Sequence, residues 1–310
     1  MVTRVTTAGS YASMLANLKT AQAAQAAAGQ KLSTQRNGQD LKDYANNAEF
    51  LTAARSLQSQ VATYQDKSQA LSAKLDAQDT NLGRVSGAAA QIRQLMTEAL
   101  ASGRADTLVS DIQGQMSTAV AGLNATYDGK YLFAGGQVNT RPVTATSLSD
   151  LTAGGTTISD FFKNDDYAVT SKVDDATTLT TGFRADDVGT DMMTALKAFQ
   201  AFNEGPNGPF TGELTPAQQS FLEGQLSSWS QIGQDLNLNV ARNGTNQARL
   251  DTVTTDLESR QTSITGMIGG ITDADLAQAS AELEQAQLSV QAAAYVFQSF
   301  KQTSLIDFLT

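Results

Sequence analysis

The sequence predicts a mainly α protein. Long antiparallel helical rods, or a coiled coil, are formed by its N- and C-terminal segments, and a small β-rich domain is inserted in the middle. Three observations predict it. Between Phe50 and Ala99, stepping by four and three residues meets an apolar side chain at 13 of 15 positions, the 3.5-residue period of helices packed along their length. Both chain ends carry apolar stripes at helical spacing. All four prolines, Pro142, Pro206, Pro209 and Pro216, fall in the middle.

Taken in order, Tyr11, Met14, Leu15, Leu18, Ala21, Ala28 and Leu32 form the first stripe, and "STQRNGQD" interrupts it with loop formers around Gly38. The heptad segment follows. Its roughly 50 residues make a helix of about 75 Å, with Gly103 as its stop. "LVSDIQGQMSTAVAGLNATY" reads as a further helix. The middle holds "GGQVNTRPVTATS", "GGTTISDFF", "DYAVTSKV" and "TTLTTGF", short Thr/Val-rich runs punctuated by Gly and Asp, which read as strands and turns. Trp229, Ile232, Leu236, Val240, Leu250, Val253, Leu257, Ile264, Met267 and Ile271 then mark a second long helix. "GGITDAD" is expected to break it at Gly269 and Gly270, with Asp273 capping the last helix. In that helix Leu276, Ala279, Leu283, Ala286, Val290, Ala293, Phe297 and Phe300 recur every three or four residues, and Leu305, Phe308 and Leu309 continue the apolar character.

The domain organisation expected is therefore nested. Residues 1–45 and 273–310 pair as terminal helices, 46–137 and 220–272 form the rod, and 138–219 is the insert.

Composition narrows the function. With no His and no Cys, the commonest general acid/base, the commonest metal ligand and any disulfide are missing. A net charge of -10 disfavours nucleic acid, whose phosphates need a basic face. No apolar run is long enough to span a membrane, and the start lacks the apolar core of a cleaved secretory signal. From 150 to 191 nine Asp face Lys163, Lys172 and Arg184. "DDYAVTSKVDD" lacks the alternating oxygen ligands and Gly of a calcium loop, so a solvated acidic surface is the plainer reading. The glycine pairs at 135–136 and 154–155 are followed by no Gly-Lys-Ser/Thr, so they are turns, not a phosphate loop. No enzyme activity, cofactor or metal site is expected.

The two ends differ in charge. Residues 1–36 carry Arg4, Lys19, Lys31 and Arg36 and no acid, whereas 273–310 carry Asp273, Asp275, Glu282, Glu284 and Asp307 against Lys301. Opposite charge favours pairing of the two terminal helices. Two helices bury only one seam, however, and isolated ones are marginal. Leu15, Leu18, Leu32, Leu276, Leu283, Val290, Phe297, Phe300, Leu305 and Phe308 are therefore read as assembly contacts, with the last helix buried between subunits.

Four stretches resemble the flagellin superfamily, and within it the members that join hook to filament. "QKLSTQRNGQD" (30–40) resembles the family's end of the first helix. "DTNLGRVSGAAAQIRQLMTEALASG" (79–103) is similar to its long second helix. "LNATYDGKYLFAGGQVNTRPV" (123–143) carries the Gly-basic-Tyr-Leu-Phe-small-Gly run of the junction members. "DADLAQASAELEQAQLSVQAAAYVFQSFKQTSLIDFL" (273–309) resembles the C-terminal helix and its ending. Gln35 departs from the pattern, standing where the family has Gly, and the stretch after Asn37 is shortened. The resemblance covers about 1–143 and 225–310; the insert matches nothing.

The resemblance implies a structural subunit of the bacterial flagellum. It would leave the cell unfolded through the flagellar type III export channel, with or without a dedicated chaperone. It would then assemble into a ring around a central channel, between flagellin and the hook-side junction protein (hook-associated protein one). Flagellin itself is the main alternative, sharing both ends; "KYLFAGG" and "SLIDFLT" favour the junction members. A type III secretion translocator or tip protein lacks the matched ends.

Overall fold

The computed structural model describes the backbone of residues 2–309 and the side chains of 9–299. It is mainly helical, with two small antiparallel hairpins. The order is α1 (Val2–Thr34), α2 (Ala48–Ser102), α3 (Leu108–Leu123), β1 (Thr126–Tyr127), β2 (Lys130–Tyr131), α4 (Leu148–Thr152), β3 (Thr170–Lys172), β4 (Thr178–Thr180), α5 (Ala185–Glu204), α6 (Pro216–Thr272) and α7 (Leu276–Leu309). No described helix is long and apolar enough to cross a membrane. The chain divides into two compact units, Met1–Ala62 with Ser259–Thr310, and Thr63–Glu258.

In the larger unit, α2 and α6 supply the length and α3 and α5 the breadth. Its core runs from Leu82 to Leu236 in sequence and joins Val85, Ile92 and Met96 of α2, Ile112 and Met116 of α3, Met192, Leu196 and Phe199 of α5, and Trp229 of α6. α2 ends as its sequence requires. Gly103 takes φ 68°, and the N–H of Arg104 turns back to the Ala99 carbonyl at 3.2 Å, closing the helix through a left-handed residue that costs glycine little. The two polar interruptions of the heptad pattern, Ser68 and Gln78, are both buried. The Gln78 amide explains one of them, donating to the Thr181 carbonyl just beyond β4 at 3.1 Å.

The small β region of the middle is narrower than residues 138–219. They hold the β3–β4 hairpin, but also the twenty-residue helix α5, and Val143, Leu148, Phe162, Phe183 and Phe210 enter the same core as α2 and α3. Asp186 and Asp187 open α5, where carboxylates favour a helix N-terminus. Arg184 gathers the surrounding acid, reaching Asp166 at 2.6 Å and Asp187 through two nitrogens at 2.6 and 2.8 Å. Hydrogen bonding to Arg184 lowers the pKa of Asp187.

The "KYLFAGG" run is a structural hub of this unit. Leu132 and Phe133 are buried, and the Ala185 N–H donates to the Phe133 carbonyl at 2.9 Å. Gly135 turns with φ 63°. The Asp165 carboxylate accepts the Gly136 N–H at 2.7 Å and lies where a Cβ on either glycine would sit. Asn124 holds Val143 twice, donating to its carbonyl and accepting its N–H, each at 2.9 Å.

Candidate assembly surface

The smaller unit is built on α1 and α7, with the first turns of α2 and the last of α6. In α1, Met14, Leu18, Ala21, Gln25, Ala28 and Leu32 are its inner residues. In α7 they are Ala279, Leu283, Ala286, Val290, Ala293 and Phe297. Both sets step by four and three. The helices run antiparallel: Tyr11 and Phe297 lie 5.1 Å apart between ring centroids, Gly29 faces Leu283, and Lys31 reaches Glu282 at 3.1 Å. The Lys31 ammonium lowers the pKa of Glu282. Both partners are about a third exposed, so the pair sets register more than stability.

The ends of these helices are stitched together. The Asn37 N–H donates to the Thr272 carbonyl at 2.8 Å and its side-chain amide to the Asp273 carbonyl at 2.8 Å. The Ala274 N–H donates to the Gln35 carbonyl at 2.9 Å. The Tyr44 hydroxyl donates to the Gly38 carbonyl and accepts the Gly38 N–H, each at 2.8 Å. Gln35 sits at φ 57°, in the left-handed region where the resembled family has glycine. α6 runs through Gly269 and Gly270 to Thr272 instead of breaking at them. Nor does Asp273 cap α7; Asp275 does, accepting the N–H groups of Ala277 at 2.9 Å and Gln278 at 3.2 Å. Asp273 instead pairs its backbone with Arg36.

Of the residues read as assembly contacts, Leu18, Leu32, Leu283, Val290 and Phe297 are half-buried in the seam, while Leu15 and Leu276 are exposed. The side chains of Phe300, Leu305 and Phe308 lie outside the described residues. The first partner of the α7 stripe is thus α1 of the same chain. The seam leaves much uncovered. Of thirteen large apolar side chains exposed among the described residues, all but Tyr127, Tyr167 and Leu238 belong to this unit, Leu41, Phe50, Leu57 and Met267 among them. Phe50 and Leu57 were read as seam positions, yet Leu51 is buried in their place. A nearly straight helix drifts about 20° per heptad from a strict 3.5 repeat, so its buried face moves round over several heptads. Among the described residues no cluster of three or more Asp or Glu could hold a metal ion.

Paired terminal helices, long rods and a small β region define a flagellin-like fold. Residues 231–309, spanning most of the C-terminal arm, match the bacterial flagellin C-terminal helical region. The structure is similar to that of a protein from Vibrio parahaemolyticus described as flagellar hook-associated, with a TM-score of 0.61 and 16% identity over 74% of this chain and all of that one. It is also similar to FlgL of Bacillus cereus, with a TM-score of 0.52 and 15% identity over 71% of this chain and 99% of that one. No curated protein sequence matches significantly.

Proposed function

We propose that this chain is a structural subunit of the bacterial flagellum, and specifically the hook–filament junction protein, hook-associated protein three. The observation that carries the reading is the match of 231–309 to the flagellin C-terminal region, which includes the C-terminal half of the unit that leaves many of its apolar side chains uncovered. The "KYLFAGG" hub favours the junction member over bulk flagellin, and so does the likeness to a hook-associated structure. In this reading the subunit is exported unfolded through the flagellar type III channel. It assembles outside the cell as a ring, with flagellin on one side and hook-associated protein one on the other. No catalysis is involved; binding of like subunits is the function.

Electron microscopy of a deletion strain tests this. Hooks without filaments and flagellin shed into the medium are expected, with filaments restored by the wild-type chain. Unchanged filaments would overturn the reading. Wild-type chain found along the whole filament would make it flagellin instead.

A further inference from the structure

The second polar interruption of the α2 pattern, Ser68, has no such explanation as Gln78 has. It occupies a seam position of the heptad series, is 1% exposed, and its hydroxyl makes no hydrogen bond among the described residues. A buried hydroxyl without a partner is costly, so it points to a group that satisfies it. Ser68 lines a groove of about 420 Å³ between α2 and α6 in the larger unit, within the size range of small-molecule sites. The two helices run antiparallel here. The Asn243 amide donates to the Leu75 carbonyl at 2.9 Å, and the Gln247 amide to the Asp76 carboxylate at 2.8 Å. That register sets Asp66 and Glu258 at one end of the groove and Ser72 and Asp251 at the other, with the buried Leu250 also in the lining.

The lining is rich in oxygen and has no base. No Lys or Arg contributes to it; Lys67, next along α2, sits over the Tyr64 ring at 5.7 Å. Asp66 and Asp251 are exposed and make no ion pair among the described residues. A groove lined by one sign of charge gathers ions of the other. A single metal ion does not fit, because among the described residues no three carboxylates lie close enough to share one. The charges sit at two ends instead. Asp66 and Ser72 are six residues apart and Asp251 and Glu258 seven, so the ends are separated by about 10 Å at 1.5 Å per residue. We propose that this groove binds an aliphatic polyamine. Its end ammonium groups pair with Asp66 and Glu258 and with Asp251, its methylene chain lies against Leu250, and an inner amine donates to the Ser68 hydroxyl. A ligand held by both helices stabilises their pairing when bound. The site goes beyond the junction role and does not depend on it.

Calorimetric titration of the full-length chain with spermidine, at physiological ionic strength, tests this. Expected are one saturable equivalent per chain and no displacement by equimolar Mg²⁺. The shorter diamine putrescine does not reach both ends and should bind at least tenfold more weakly. Asp66→Asn and Asp251→Asn should each weaken spermidine at least tenfold, whereas Asp256→Asn, exposed on α6 outside the lining, should not. Ser68→Val returns an apolar residue to the seam and fills the groove. It should abolish binding while the thermal transition is kept or raised, and spermidine should raise that transition in the wild type alone. The exposed aspartates keep the test sound should the valine disturb folding. Absence of saturable binding, or a folded Ser68→Val chain that binds as the wild type does, overturns the proposal. So does an equal loss from Asp256→Asn and Asp66→Asn, which would reduce the attraction to the net charge of -10. None of these outcomes bears on the junction role.

Discussion

The two units use similar long helices to opposite ends. In Thr63–Glu258 the large side chains turn inward: Trp229, Phe133, Phe199 and Phe210 are almost wholly buried, in a core closed by five helices and the loops between them. In Met1–Ala62 with Ser259–Thr310 the buried apolar residues among those described are Ala28, Leu51, Ala54, Val61, Ile264, Ala279 and Ala286, four of the seven alanine, while Phe50, Leu57, Leu288 and Tyr295 face water. Apolar burial stabilises by about 25 cal/mol per Å², so one unit collects that stabilisation within itself and the other leaves much of it uncollected within the chain. Helical content does not distinguish a self-sufficient unit from an unfinished one; the direction of its large side chains does.

The strongest way to break this contrast is to delete 138–219 and join the flanking residues with a short linker. Because Val143, Leu148, Phe162, Met192, Leu196 and Phe199 belong to the core, the larger unit should lose its cooperative thermal transition. Retention of that transition by calorimetry would show that the segment is an appendage. Next in size is Phe199→Ala, which removes a fully buried ring stacked on Phe210 at 5.1 Å. It should cost about 3–5 kcal/mol in denaturant unfolding. Amide exchange on the free chain should then be at least about a hundredfold slower in the helices of 63–258 than in residues 9–40 and 275–299. Equal protection would mean that the terminal pair is stable without neighbours.

Phe297→Ala sharpens the comparison from the other side. Its ring is half-buried against Tyr11, so in the free chain the loss should be about 1 kcal/mol, with a larger effect on association. Gln35→Gly should raise stability by up to about 1 kcal/mol in urea unfolding, because it relieves a left-handed backbone at a non-glycine residue. Smallest is the acid response of α4. Asp150 accepts the Thr146 N–H at 2.8 Å, its hydroxyl at 2.8 Å and the Ser147 N–H at 3.0 Å, which lower its pKa from 3.8 to about 2. A folded pKa below the unfolded one gives stability present above pH 4 and lost as the pH falls through about 2. Asp150→Asn should flatten that part of the acid unfolding curve, and the difference should be slight because the carboxylate is partly open to water.

The long helices were legible because their signal repeats. The period through Val61, Leu71, Leu82 and Ile92 outlasts local exceptions, and Gly103 stops it where glycine is cheapest. α5 was not, although Val188, Met192, Leu196 and Phe199 keep helical spacing. Its opening Asp186 and Asp187 were read as part of an acidic insert rather than as a helix N-terminus, and Pro206 and Pro209 coloured what came before them. The cap of α7 was misplaced by two residues, because two aspartates flank Ala274 and only the backbone geometry chooses between them. The seam residues Leu283, Val290 and Phe297 stood out as part of the C-terminal stripe. Leu288 and Tyr295 did not, since a second face becomes visible only when the partner on the first face is in place.

Gly135, Gly136 and Asp165 form one latch across 29 residues of chain. Mutational drift at two of these positions is therefore coupled. A side chain gained at 136 collides with the carboxylate, whereas loss of the carboxylate leaves Gly136 free to change. Gly135 is held independently, by its left-handed backbone and by the Asp165 and Tyr167 carbonyls. A comparison of many related sequences would recover 136 and 165 as a correlated pair beside an independently fixed glycine at 135, even where the segment between them has diverged beyond alignment.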